Sequence, residues 1–303
     1  VFGLALAPWI ASGQSRDDWP DGDGQSRVLW KADHEDGTLI QWTDDGFRYP
    51  GGGVFNTGGS DVSATASTDV AHSGRWSVKT VIRNAFRARK GDRAVRLMRW
   101  TDRAWDDGGD FFPREACYSA WIYFPQNYNP NKYPPWDPGD GGWWNVFQFK
   151  SEAADGASEP VWSVNVGWDD RKGRMFFYLY SKCNSPSSHS QRDPLPIPAR
   201  KWVHIEAAYR SATGRGGRIR LWQDGRKIFD VDGVATSLGG KDGTDVHPIF
   251  GIGNYTDHVT GDPSGGGTAA IYFDDVVVST GRVFRQDGGL ADGQSRRPGT
   301  RSR

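Results

Sequence analysis

Residues 144–150 read WNVFQFK, and this stretch decides between a helix and a strand. A period of two places Gln148 and Lys150 on one face of an extended chain and Phe147 and Phe149 on the other. A helix would instead repeat its apolar residues three and four positions apart. The stretch therefore predicts a β-strand with one face in a core and one polar face.

Ten other segments have the same character: they are short, rich in β-branched and aromatic residues, and separated by clusters of Gly, Pro, Asn and Asp. They are residues 76–82, 94–100, 117–124, 161–167, 175–180, 202–209, 219–223, 227–231, 249–255 and 270–278. Asp224 and Gly225 predict a two-residue hairpin turn, because this pair accepts positive φ angles. Eleven strands without an amphipathic helix predict an all-β chain folded as a jelly-roll sandwich of two antiparallel sheets.

The composition supports a folded β protein and excludes several partners. The 303 residues include 40 glycines and 17 prolines, which disfavour helices, and 15 Trp, 15 Phe and 10 Tyr, which can fill a sizeable core. The formal net charge of +0 provides no basic surface for a phosphate backbone, so we expect no nucleic-acid partner. We also expect no membrane partner and a monomeric protein.

The ends of the chain differ from its middle. Residues 1–13 form an apolar run too short to span a bilayer, which we interpret as the remnant of a secretory signal; a buried N-terminal strand is the alternative. Residues 14–27 resemble a linker, so residues 1–27 lie outside the predicted domain at 28–284. The tail at 285–303 is predicted to be disordered. We therefore expect a secreted protein, in which Cys117 and Cys183 allow one disulfide whose formation the sequence leaves open.

Several enzyme classes lack their motif in this sequence. It contains no Gly-x-Ser-x-Gly, no phosphate-binding Gly-x-x-x-x-Gly-Lys, no Cys-x-x-Cys and no His-Glu-x-x-His. It also lacks the Glu-x-Asp-x-x-Glu strand with which jelly-roll glucanases place an acid and a nucleophile on one face. These absences argue against a serine hydrolase, a nucleotide-binding protein, a zinc peptidase and a retaining glycoside hydrolase.

Two polar groups of residues are candidates for a site. Gln148 and Lys150 offer an amide donor and a cation suited to a carboxylate, although a solvated strand face is the alternative. In residues 251–255, GIGNY, two glycines leave one strand face bare beside Tyr255. Glycine in a strand often marks the close approach of a ligand, but a tyrosine packed across glycine is the alternative.

Three arginines add positive charge within one predicted strand. Alternation places Arg93 and Arg99 on one face and Arg96 on the other. At most one of these two sets can therefore line the same groove.

Taken in order, these motifs resemble the concanavalin-like jelly-roll polysaccharide lyases of the heparin-lyase-I and glucuronan-lyase type. The resemblance covers residues 28–284. It rests on SGRWS at 73–77, the arginine-rich strand at 93–99, YSAWIYFP at 118–125, QFK at 148–150, KWVH at 201–204, WQDG at 222–225, GNY at 253–255 and YFDD at 272–275.

The resemblance implies β-elimination of a uronic-acid polysaccharide on one face of the sandwich. Gln148 matches the family's carboxylate-neutralising Gln, and Tyr255 matches its Tyr that acts as base, acid or both. Arg93 is the candidate for a second neutralising group. Lys150 stands where alginate-lyase relatives carry His, so it is either a base or a carboxylate clamp.

Further candidates for substrate contact are Asn254, Arg96, Tyr178, Tyr180 and Trp144, and His72 is a candidate second base. The alternative function is a non-catalytic carbohydrate-binding module of lectin or laminin-G type, which needs stacking aromatic residues and no base.

Two acidic clusters predict a structural metal. DHEDG at 33–37 and Asp274-Asp275 come together if the first and last strands of the sandwich pair. Oxygen ligands of this kind suit Ca²⁺, with Glu35 and Asp275 as the expected ligands. Ordinary turn capping by the acidic residues is the alternative. The metal would be structural, because β-elimination assisted by Gln and Arg does not require it. No organic cofactor is expected.

Overall fold

The computed structural model describes residues 26–43, 51–83, 93–100, 112–130, 143–183, 186–256 and 268–283. Within these ranges there is no α-helix, and hence no helix long and apolar enough to cross a membrane. Two single-turn 3-10 helices occur, at Ile40–Trp42 and Gly59–Asp61. The strands are β1 Val28–Ala32, β2 Gly52–Thr57, β3 Val62–Ser67, β4 Ser77–Ile82, β5 Arg93–Arg99, β6 Glu115–Tyr123, β7 Trp144–Glu152, β8 Ser158–Asp169, β9 Arg174–Ser181, β10 Ser187–His189, β11 Pro196–Ile197, β12 Trp202–Arg210, β13 Gly217–Gln223, β14 Arg226–Val234, β15 Ile249–Thr256 and β16 Ala269–Ser279.

The strands form two antiparallel sheets. The back sheet has the order β14-β13-β12-β6-β16-β4-β3, with β1 also paired to β16. The front sheet has the order β10-β9-β8-β7-β15-β5-β2, with β11 also paired to β9. The predicted all-β sandwich of two antiparallel sheets is therefore confirmed, and the first and last strands do pair.

The core lies between the sheets and is built largely of aromatic rings. Phe149 of the front sheet stacks on Tyr209 of the back sheet with ring centroids 3.8 Å apart. Phe147 and Phe250 meet edge to face at 4.9 Å, and Tyr118 lies 5.0 Å from both Phe149 and Phe250. Because Phe147 and Phe149 point inward, Gln148 and Lys150 are left on the outer face of the front sheet, as the alternation predicts.

All eleven predicted strands are present, and the described residues contain five more, β1, β2, β3, β10 and β11, which were not predicted. β10 and β11 have only three and two residues, and β2 and β3 contain many small or polar residues, so none shows a clear apolar alternation. The predicted turn is confirmed: Asp224 and Gly225 have φ angles of 49° and 76°, and the flanking Gln223 and Arg226 pair with each other.

A β-bulge interrupts β7 near its start. The pairing of β7 with β8 shifts between Asn145 and Phe147, and its pairing with β15 shifts opposite Ile252 to Tyr255. A bulge adds one residue to one strand and so exchanges the two faces beyond it. As a result Trp144 and Val146 are fully buried in the core, whereas Asn145 turns to the outer face.

The two cysteines do not form a disulfide in this structure, which answers the question that the sequence left open. Cys183 belongs to the main core, where its Sγ lies 3.6 Å from the carbonyl oxygen of Ser237. Cys117 belongs instead to a separate small cluster with Ala208 and Trp222.

Candidate active site

Two neighbouring cavities lie on the outer face of the front sheet. The first, of about 570 Å³, is called here the tyrosine pocket, and its lining includes Gln148, Tyr255, Tyr178, Tyr180, Asn145 and Asn165. The second, of about 500 Å³, is called the lysine pocket, and its lining includes Lys150, Arg96, Met98, Trp100 and Phe55. The two cavities adjoin, because Gln148 and Lys150 stand two residues apart on the same face of β7, and this part of the outer face is called here the groove.

Gln148 lies on the floor of the tyrosine pocket. Its side chain is almost completely buried, and its Nε2 is 3.5 Å from the sulfur of Met98. Its strand neighbours are Gly251 and Ser163, which are small. The amide can therefore be reached only from the pocket, where it presents a hydrogen-bond donor to a bound group.

Tyr255 lies at one end of the same pocket. Its ring packs edge to face against Trp143, with centroids 4.5 Å apart. The guanidinium carbon of Arg96 lies 5.3 Å from the centre of the ring, within the range of a cation–π contact. A tryptophan and an arginine thus fix the orientation of the tyrosine at the entrance to the groove.

Two asparagines complete the floor of the tyrosine pocket, and sequence reasoning missed both. Asn145 and Asn165 are paired across β7 and β8, and each amide oxygen is buried without a hydrogen-bond partner. The amide nitrogen of Asn165 donates to the hydroxyl oxygen of Tyr178 at 3.1 Å. Unsatisfied acceptors beside a cavity can accept hydrogen bonds from a ligand's hydroxyl groups. Strict alternation from Gln148 places Asn145 on the core side of β7, and only the bulge turns it to the outer face.

The lysine pocket contains a partly buried cation. Burial lowers the pKa of Lys150 below its ordinary value, and the neighbouring charge of Arg96 lowers it further. Arg96 itself donates to the hydroxyl of Thr57 at 2.8 Å. Its position between Tyr255 and the lysine pocket makes Arg96 the group that connects the two cavities.

Two of the predicted substrate contacts are corrected by their burial. Trp144 and Asn254 are both fully buried, and the indole nitrogen of Trp144 donates to Asn254 Oδ1 at 2.9 Å. The Asn254 amide nitrogen donates in turn to the backbone oxygens of Ala269 and Thr80. The pair links the two sheets from inside the core, so neither side chain presents surface to the groove.

Arg93, predicted as a neutralising group, is on the opposite face of β5 from Arg96. Its guanidinium pairs with Asp61 at 2.8 Å and also donates to the backbone oxygen of Arg83. The sequence allowed only one of the two arginine sets to line the groove, and that set is Arg96 alone. This placement corrects the assignment of Arg93 to the site.

His72, the candidate second base, lies at the back sheet. Its Nδ1 is 2.7 Å from Asp275, and its ring stacks on Trp121 with centroids 3.7 Å apart. Because Trp121 belongs to β6 of the back sheet, His72 is separated from the groove by the full thickness of the sandwich. It cannot act on a substrate bound there.

The bare glycine face expected beside Tyr255 is filled by another residue. A Cβ atom built on Gly251 would overlap the sulfur of Met98, and one built on Gly253 would come within 2.6 Å of the backbone oxygen of Val95. The glycine at 251 therefore makes room for Met98, which lies between Gln148 and the lysine pocket. The group that comes close to Gly251 is therefore the Met98 side chain of the protein itself, where the sequence suggested a ligand.

The acidic residues expected to bind Ca²⁺ converge on one loop but meet hydrogen-bond donors there. Glu35 accepts from the backbone nitrogens of Arg75 and Trp76, at 2.9–3.0 Å. Asp275 accepts from the hydroxyl of Ser73 at 2.9 Å and is 2.7 Å from His72 Nδ1. Within the described part of the chain no three acidic, His or Cys side chains group as metal ligands. Because the Glu35 and Asp275 carboxylates are turned toward hydrogen-bond donors, they do not fit a cation as arranged, and their contacts match the capping alternative.

A family model and several solved structures are similar to this chain. A family model described as "Polysaccharide lyase" matches residues 34–277. The endo-β-1,4-glucuronan lyase from the fungus Trichoderma reesei superposes with a TM-score of 0.55 at 14% identity, over 84% of this chain and 96% of that one. A cellulose-induced protein, Cip1, gives a TM-score of 0.49 at 15% identity, over 84% and 98%. A variant of an alginate lyase in complex with an alginate trisaccharide gives 0.44 at 14% identity, over 76% and 98%. No curated protein matches in sequence.

Proposed function

Because the chain belongs to the polysaccharide lyase family, we propose that it cleaves a uronic-acid polysaccharide by β-elimination in the groove of the front sheet. One observation carries the proposal: Gln148, Arg96 and Tyr255 lie on the same outer face, beside cavities open to a ligand. An amide, a guanidinium and a phenol are the groups that this reaction needs. The family gives the reaction class, and these side chains support a uronate as the substrate unit.

Elimination begins by making the proton on C5 of the uronate more acidic. A negatively charged carboxylate opposes the build-up of further negative charge at the adjoining carbon. Gln148 can donate a hydrogen bond to this carboxylate from the pocket floor, and Arg96 can bring a full positive charge to it. Hydrogen bonds that strengthen as charge develops lower the barrier most, because they favour the transition state over the bound substrate.

Tyr255 is the candidate for proton transfer. As a phenolate, its oxygen would take the C5 proton and become a phenol, the C5–H electron pair would form the C4–C5 double bond, and the C4–O bond would break. The leaving glycosidic oxygen would then take a proton from the phenol, which restores the enzyme. One residue can serve both steps, and Trp143 and Arg96 hold its ring in position for them.

Lys150 fits a carboxylate clamp better than a base paired with Tyr255. Lys150 is opposite Ile249 on β15, six residues before Tyr255, and a strand of that length spans about 20 Å. The two side chains therefore line different pockets and face different units of a bound polymer. This separation supports a role for Lys150 in binding a unit next to the one that reacts.

Tyr178 and Tyr180 are candidates for contact with the sugar rings. Both line the tyrosine pocket from β9. Tyrosine combines a flat apolar ring with a polar end, and a sugar likewise has an apolar face and polar edges. These contacts would hold a polysaccharide whether or not the bond is broken.

The test is a panel of purified uronans and one neutral polysaccharide, followed by the ultraviolet absorbance of the unsaturated product. We expect absorbance to rise with at least one uronan and to stay constant with the neutral polymer. Binding measured by affinity electrophoresis, with no rise on any uronan, would support the carbohydrate-binding module instead.

A further inference from the structure

A row of four polar residues crosses the tyrosine pocket from strand to strand. Tyr255 is paired with Asn145 on β7. Asn145 is paired in turn with Asn165 on β8, and Asn165 with Tyr178 on β9. All four residues line the cavity. Neighbouring strands are about 4.8 Å apart, so the backbones of the two tyrosines stand roughly 14 Å apart. The two asparagines, called here the asparagine pair, form the floor between the two phenols.

The asparagine pair has two acceptors that the described chain does not use. Asn145 and Asn165 are 5% and 4% exposed, and the amide oxygen of each is buried without a hydrogen-bond partner in the described chain. Asn165 donates to Tyr178 through its amide nitrogen at 3.1 Å, which leaves its oxygen as the free end. Asn254, a buried asparagine of the core, has both ends of its amide bonded. A buried acceptor without a donor is costly, so two of them on a cavity floor indicate a ligand that supplies donors.

The ligand groups that fit the asparagine pair are hydroxyl groups. An amide oxygen accepts a hydrogen bond but repels a carboxylate, whereas the amide nitrogen of Gln148 can donate to one. A uronate unit carries both kinds of group, since it has one carboxylate and several ring hydroxyl groups. It can therefore place its carboxylate at Gln148 and turn ring hydroxyl groups to the asparagine pair.

We propose that Asn145 and Asn165 are specificity-determining residues, which accept hydrogen bonds from free hydroxyl groups of the reacting unit and so select a uronan without O-acyl or O-sulfate esters. An ester has no hydroxyl proton to donate, and it adds bulk at a floor that is already buried. A uronan esterified on these hydroxyl groups therefore loses both hydrogen bonds and fits less well. This inference rests on the proposed function and deepens it, because it separates the esterified and unesterified forms of one uronan.

The experiment compares one uronan in two forms, unesterified and chemically O-acetylated, in wild type, Asn145→Ala and Asn165→Ala. The polymer is whichever uronan the wild type degrades. One net hydrogen bond is worth about 3- to 10-fold, so wild-type kcat/KM should be about 10- to 100-fold higher on the unesterified form. Each variant should lose about 3- to 10-fold of that preference, by reacting more slowly with the unesterified form and no more slowly with the acetylated form.

Controls separate recognition from folding. Asn56→Ala removes an exposed asparagine of β2 that lines neither cavity, and it should keep the activity and the preference of the wild type. Thermal melting of each variant reports its stability. A variant that melts lower but keeps the wild-type preference would show that the asparagine pair is only structural, which would overturn the inference. Asn165→Ala also removes the donor to Tyr178; if that variant does not fold, the wild-type preference and Asn145→Ala decide.

A binding measurement separates this inference from the proposed function. Titration calorimetry with β-1,4-linked oligoglucuronates, with and without O-acetyl groups, reads affinity without turnover. If no uronan is degraded, but the unacetylated form binds more tightly and Asn145→Ala reduces the difference, the inference stands and the lyase assignment fails. Degradation of both forms with equal kcat/KM would overturn the inference and leave the lyase assignment intact. Failure to degrade any uronan and to bind the unacetylated probe would overturn both.

Discussion

Replacing Tyr255 by phenylalanine tests the proposed mechanism most directly, because it removes one hydroxyl and keeps the ring. The contacts that position the ring, 4.5 Å from Trp143 and 5.3 Å from Arg96, involve its faces and edges and persist in the variant. Folding and polysaccharide affinity should therefore change little. Acid–base help from a placed side chain is worth about 10²–10⁴ in rate, which is roughly 3–5 kcal/mol of barrier. We expect kcat to fall by about that factor with KM nearly constant.

The assay is the initial rate of formation of the unsaturated product on the best uronan, with thermal melting measured on the same samples. Tyr272→Phe is the matched control, since it removes a hydroxyl bonded to Asp69 at 3.0 Å on the back sheet. That variant should lose about 1 kcal/mol of stability at most and keep full activity. Wild-type kcat in Tyr255→Phe would refute the proton-transfer role, and a large fall in its melting temperature would show that the hydroxyl is structural.

Three more outcomes follow from other contacts. Gln148→Ala removes a donor to the substrate carboxylate worth about 1.5–3 kcal/mol, so kcat/KM on uronans should fall about 10- to 100-fold, and an unchanged value would exclude that contact. Burial and Arg96 lower the pKa of Lys150, so this lysine loses its charge at a lower pH than a free lysine does. Affinity for acidic oligosaccharides should therefore weaken as the pH rises through the pKa of Lys150. In binding titrations Lys150→Arg should keep its affinity to a higher pH than the wild type. If the carboxylate of Glu35 serves as a cap, EDTA should leave the melting temperature unchanged, whereas a clear drop would restore the predicted calcium site.

The sandwich could be predicted from the sequence because its core strands carry their own pattern. In residues 147–150 and 250–253 apolar side chains alternate with polar residues or glycine, and the core confirms this for Phe147, Phe149 and Phe250. The Asp224-Gly225 turn could be predicted for a similarly local reason, namely its positive φ angles. The edge strand β2 could not, since its glycines and polar residues show no alternation.

The candidate site was predictable only where strict alternation holds. Gln148 and Tyr255 do share the tyrosine pocket, and Tyr178 and Tyr180 line it too. Asn254 was grouped with Tyr255 because the two are adjacent in sequence, but adjacent residues of a strand face opposite ways. Met98 and Asn165 belong to strands that meet β7 and β15 only through long-range pairing, and one sequence does not reveal that pairing.

The bulge at the start of β7 has a consequence for how this strand can be matched or redesigned. Residues 144–150 can be aligned without a gap to a strand that has no bulge. In such an alignment Trp144, a core residue, is matched with a residue that faces the groove. Val146 is the extra residue relative to β8, so deleting it would restore strict alternation and leave Trp144 in the core and Asn145 on the outer face. Residues from Phe147 onward would keep their faces. Grafting a new specificity onto this scaffold is therefore safest downstream of the bulge, where alternation again dictates which substitutions reach the ligand.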